Sequence, residues 1–186
     1  MKIILLALLT VSCSVKPKLD PCASKITPSF NIKRTSLPVL TYISTNIPNE
    51  LRSAIYRAAE TINKSVGKNL VQLTETTYTR NYIEIMPIFD GTKDQEAYTH
   101  IRSADGGIID ASIRVNNKYP YYNNRSKPGA INFEALILHE LGHFLGLPHS
   151  EDIESAMYPE LGANEDRIIL TEDDITTLKC KYNIED

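Results

Sequence analysis

Four histidines occur in this chain of 186 residues, and three of them fall within the segment HELGHFLGLPH, from His139 to His149. Their spacing makes a candidate metal site. On a helix, His139 and His143 share one face, one turn apart, so both imidazoles can reach a single ion. Gly146 can adopt the left-handed conformation that ends a helix, and Pro148 cannot continue it. The chain can therefore turn and bring in His149 as a third ligand. Three neutral imidazole nitrogens suit zinc and leave its fourth position open for a water, whose pKa zinc lowers toward about 7. Glu140 stands beside His139, rotated by roughly 100° around the helix, where its carboxylate can act on that water as a base. A lone HExxH also occurs in helices that bind nothing. Here a glycine and a further histidine stand at matching offsets, which tells against that reading.

These side chains need a helix and a scaffold to carry it. The spacing predicts a zinc helix from about Asn132 to Leu145 and an amphipathic helix over Asn49 to Val66, with Leu51, Ile55, Ala58, Ala59, Ile62 and Val66 on one side and Gly67 as its stop. Such a helix needs a sheet to cover. Leu37 to Ser44, Leu70 to Leu73, Tyr82 to Phe89, Tyr98 to Arg102 and Ile108 to Val115 read as strands, rich in Ile, Val and Tyr and separated by turn residues. Residues 1–12 read as a signal peptide, 13–30 as a linker or arm and 31–186 as one domain with a sizeable core. The net charge of −3 and the absence of a basic block argue against nucleic acid or an anionic lipid surface as the main partner.

The pattern HExxHxxGxxH followed by a methionine turn resembles the metzincin metallopeptidases, and HSEDIESAMYP, His149 to Pro159, is similar to the matrixin branch. The resemblance implies that Met157 forms a tight turn beneath the histidines, packing against the metal site without ligating it. Tyr158 follows Met157 directly and position 159 is proline, so no tyrosine ligand is expected. LTEDDITTLKCKY, Leu170 to Tyr182, is similar to the C-terminal matrixin helix, with Thr171 and Asp174 as a capping pair. The implied fold is α+β and metzincin-like: a mixed twisted sheet with two long helices in an upper lobe, and a small irregular C-terminal lobe with one helix. In that fold a substrate cleft runs between the lobes at the zinc, along an edge strand that pairs with extended substrate. Ala97, Tyr98, Thr99 and His100 are the candidates for that strand, and Tyr158 and Pro159 for the wall of the pocket after the cut. Animal matrixins hold a second zinc through additional histidines. Only His100 lies outside the motif, so one zinc per chain is expected. Asp90, Asp94, Asp105 and Asp110 could contribute to calcium sites, but they lack ligand spacing and read as turn residues.

Lys2, the apolar run Ile3 to Leu9 and the small residues before Cys13 read as a short export signal. Cys13 then suits bacterial lipoprotein processing, in which its thiol is acylated, with release by ordinary signal cleavage as the other outcome. Either places the chain outside the cytoplasm, anchored at a periplasmic or cell-surface membrane, or secreted. Cys22 and Cys180 remain as an even pair in an oxidising compartment and are expected to form a disulfide. A latch role for Cys22 on the zinc ranks lower, because DPCAS lacks the arginine, glycine and proline pattern of the matrixin switch.

Together these readings imply an exported zinc-dependent endopeptidase, expected to be monomeric, acting on extended protein or peptide and touching a membrane only through a lipid anchor. The alternative from another class is a non-catalytic zinc-bearing lipoprotein that binds peptide or serves adhesion. Glu140 tells against it, because a non-catalytic site has no chemical use for a base beside the metal.

Overall fold

The computed structural model describes Cys22 and residues 32–92, 94–124 and 127–185. The expected signal over residues 1–12 and Cys13 lie outside the described residues. In chain order the elements are β1 (Lys33–Arg34), β2 (Val39–Ile43), α1 (Asn49–Val66), β3 (Val71–Thr74), β4 (Tyr82–Met86), β5 (Ala97–Ala104), β6 (Gly107–Asn116), β7 (Tyr121–Tyr122), β8 (Ile131–Asn132), α2 (Phe133–Phe144) and α3 (Glu172–Tyr182).

The main sheet runs β1-β6-β4-β2-β3, with β5 paired to β6. Every pairing in it is parallel except β5 with β6, which is antiparallel. That hairpin closes through Asp105 and Gly106, both at positive φ. Such a two-residue turn matches the twist of paired strands, which explains why pairing continues to Ala104 and Gly107, beyond the expected Tyr98 to Arg102. The expected Tyr82 to Phe89 strand stops instead at Met86, because Pro87 has no N–H to donate to a ladder. In the same way the first long strand begins after Pro38, at Val39 rather than Leu37.

The α1 helix has the expected bounds and buries Leu51, Ala54, Ile55, Ala58, Ala59, Ile62 and Val66, with Gly67 as its left-handed C-cap at φ 69°. Helix α2 has no solvent face: apart from its two histidines every residue is buried. Asn132 caps it, its side-chain oxygen accepting from the backbone N–H of Glu134 and Ala135. A buried Leu or Ile side chain contributes roughly 1.5–3 kcal/mol over its exposed state, so Leu138 and Leu141 anchor this helix firmly.

From residue 145 to residue 171 the described chain has neither helix nor strand. Helix α3 follows, opened by a capping box between Thr171 and Asp174. A disulfide joins Cys22 to Cys180 on this helix, 158 residues away in the chain. Among the described residues no helix is long and apolar enough to cross a membrane.

Candidate active site

Helix α2 sets the first half of the site. His139 and His143 project from it with their Nε2 atoms 3.1 Å apart. Each ring has its Nδ1 on a carbonyl, His139 at 2.8 Å from the Ala156 oxygen and His143 at 2.8 Å from the Leu147 oxygen. A carbonyl only accepts, so each Nδ1 carries the proton and donates. Both Nε2 atoms are then lone-pair acceptors facing one another with no proton between them, which favours a cation. Burial, and then the neighbouring His143, hold His139 down at about 3, and burial lowers His143 as well. Neutral rings with fixed tautomers are what a metal needs.

The second half comes from the turn after the helix. The Leu147 N–H donates to the Gly142 carbonyl at 2.9 Å and the Gly146 N–H to the His143 carbonyl at 2.7 Å. Gly146 sits at φ 87°, and a Cβ there would run into the Ile32 carbonyl, so this sharp exit requires glycine. It carries His149 back until its ring centroid lies 5.4 Å from that of His139 and 4.7 Å from that of His143. One ligand atom from each histidine falls within 4.8 Å of the others. The donor set therefore fits zinc.

Further along the chain, Met157 is buried and its sulfur lies against Gly142, where a Cβ would collide with it. Ser155 shapes this turn: its Oγ accepts from the Met157 N–H at 2.9 Å and donates to the Asp174 carboxylate, whose oxygens lie at 2.8 and 2.9 Å. Asp174 also accepts from the Thr171 hydroxyl at 2.8 Å. The helix cap and the turn at Met157 are thus one network. Ser155 carries no motif that sequence reasoning would single out.

Glu140 points to the cleft beside the histidines and is 4 % exposed. Burial pushes its carboxyl up to about 7, against the opposing effect of a hydrogen bond from Thr99. That hydroxyl lies 2.5 Å from Glu140 Oε2.

The cleft, about 250 Å³, is lined by all three histidines, Glu140, Ala97, Tyr98, Thr99 and Pro159, with Leu136 and Leu161 adding apolar wall. Of the other candidate site residues, His100 is exposed and pairs with Ser112 outside the cleft. Tyr158 also stands off the lining, with the Arg167 guanidinium 5.3 Å from its ring centre. Leu136 and Leu161 had no signal in the sequence beyond being apolar.

Residues 39–183 match the family model described as Matrixin. The chain is also similar to three named proteins over shorter stretches. It is 38% identical over 55 residues to Metalloendoproteinase 1 of Glycine max, which covers 30% of this chain and 18% of that one. It is 60% identical over 35 residues to Matrilysin of Felis catus, covering 19% and 13%. With Interstitial collagenase B of Mus musculus it is 43% identical over 94 residues, covering 50% and 19%. The matched stretches thus span less than a fifth of the length of these relatives.

Proposed function

The chain belongs to the matrixin family, and from that premise we propose that it is a zinc-dependent endopeptidase in which His139, His143 and His149 hold the ion and Glu140 is the base. The observation that carries this reading is the convergence of three imidazoles and one buried carboxyl on a single open cleft. When bound, zinc supplies Lewis acidity, polarising a peptide carbonyl and making water acidic enough to attack near neutral pH. Glu140 takes the proton from the attacking water and returns it to the leaving amine. A carboxyl lining the cleft beside the histidines is placed for both transfers.

The outer edge of β5 is the proposed platform for extended substrate. One edge of this strand pairs with β6, and Ala97, Tyr98 and Thr99 line the cleft. An added peptide strand would gain main-chain hydrogen bonds there. Leu136, Pro159 and Leu161 favour an apolar side chain beside the cut. In this reading the sheet with α1 and α2 forms the upper lobe, and the segment through Met157 to α3 the lower. Export is part of the proposal. The disulfide supports an oxidising compartment, and a diacylglycerol adduct on Cys13 in the intact mass would identify a lipid anchor.

The test pairs wild type with Glu140→Ala on a library of unstructured peptides, with zinc measured in both. The variant should keep one zinc per chain and lose about 10²–10⁴-fold in kcat. Equal activity in the two would exclude Glu140 as the base, and two tightly held zincs would exclude the single-ion reading.

A further inference from the structure

We infer that Thr99 is a positioning residue for Glu140, its hydroxyl holding one carboxyl oxygen so that the base meets the cleft in a single orientation. The inference rests on the peptidase reading above. Thr99 Oγ1 lies 2.5 Å from Glu140 Oε2 and 3.0 Å from the Glu140 main-chain oxygen. Among the described residues it is the one side chain that hydrogen-bonds this carboxyl. Its neighbours on β5 have other partners, since the Tyr98 hydroxyl bonds Asp90 at 2.6 Å and His100 is exposed.

Geometry suits the hydroxyl to this role. Thr99 stands within β5, paired with Ile113 of β6, a fully buried residue. A β-branched side chain is stiff at χ1, so the hydroxyl is presented from a rigid ladder. A hydroxyl has one proton to donate and lone pairs to accept with. Toward an ionised carboxyl it donates to Oε2. The other carboxyl oxygen is then the one that takes the proton, and the hydroxyl can go on donating to Oε2 with no heavy atom moving. The frame therefore serves Glu140 before and after it takes a proton. Thr99 transfers nothing itself, since the proton that Glu140 takes from water leaves on the amine.

A merely structural Thr99 would tie β5 to α2 and nothing more, and the two roles separate experimentally. Wild type, Thr99→Val and Thr99→Ser are compared at equal zinc content on one peptide that the wild type cuts. Valine keeps the branched shape without the hydroxyl, and serine keeps the hydroxyl without the methyl. Losing a hydrogen bond to a charged group should lower kcat in Thr99→Val by about 10- to 100-fold. KM should stay within about twofold, and Thr99→Ser should recover kcat to within about threefold. A loss confined to KM, or a serine variant as impaired as the valine one, overturns the inference. A second readout does not need turnover. In infrared difference spectra against Glu140→Gln, the Glu140 carboxyl band should shift in Thr99→Val and stay in place in Thr99→Ser, and an unshifted band in Thr99→Val overturns the inference. Should Thr99→Val not fold, Thr99→Ala carries the same two measurements. A wild type that cuts no peptide would count against the peptidase reading, while the infrared comparison would still decide the role of Thr99.

Discussion

At the residue scale, the histidines are set by groups that are not ligands. The carbonyls of Ala156 and Leu147 choose their tautomers, and both carbonyls belong to loop segments whose shape depends on further contacts. Ser155 is one such contact, fully buried between the Met157 turn and Asp174. Ser155→Ala removes a hydrogen bond to a carboxylate and leaves the Met157 N–H without its acceptor. It should cost about 1.5–3 kcal/mol in urea unfolding. A cost below about 0.5 kcal/mol would leave the link without energetic weight. The grouping of three histidines and a carboxyl was legible from offsets alone, whereas the contacts of Ser155 and Thr99 were not. A hydroxyl in a turn or on a strand is ordinary, and only the approach of a distant carboxylate makes it matter.

At the element scale, α2 must hold its register to keep two histidines on one cleft. Its N-terminus is fixed by Asn132, which caps the helix and also donates from Nδ2 to Asp166 at 2.5 Å. Asp166 in turn accepts from the Tyr122 hydroxyl at 2.7 Å, so one residue joins the helix start to the loop bearing Pro159 and Leu161. Asn132→Ala should lower the free energy of unfolding by about 1–2 kcal/mol, measured by chemical denaturation. An unchanged midpoint would mean that burial alone positions the helix. Periodicity read α1 correctly because a long helix repeats its signal over five turns of burial. The two-residue strands β1, β7 and β8 are too short to carry any period, and they form because a partner is already in place.

At the scale of the whole molecule, residues 32–34 are clamped between the end of α2 and helix α3. Arg34 Nε donates to the Phe144 carbonyl at 2.8 Å, and its guanidinium lies 3.9 Å from the centre of the Phe144 ring. The Tyr182 hydroxyl accepts from the Arg34 N–H at 3.2 Å and donates to the Leu145 carbonyl at 2.8 Å. Lys181 Nζ donates to the Ile32 carbonyl at 3.0 Å. Helix α3 therefore braces the exit of α2 through residues 32–34.

Lys181 gives this clamp a pH signature. Burial, and then the nearby Lys33, hold it down at about 8, against an ordinary 10.5. Between those values the unfolded chain binds more protons than the folded one, so stability rises with pH. Tyr182, pushed up to about 12 mainly by burial, acts in the opposite sense only above the ordinary tyrosine value of 10.0. From about pH 8 to about pH 10 the urea midpoint of the wild type should therefore rise relative to that of Lys181→Met. Parallel pH profiles would refute this account of Lys181.

The sequence by itself determined what local geometry can fix: the helix under the motif, two histidines one turn apart, a carboxylate beside them and a glycine able to end the run. Helical spacing is a property of the chain, so these relations hold wherever the helix lies. Tertiary structure decided how His149 closes on the other two, which hydroxyl holds Glu140, what the sulfur of Met157 rests on and how β1 meets α3. Those contacts join residues up to 149 positions apart. They arise only when burial brings such segments together and removes water as the alternative partner of their polar groups.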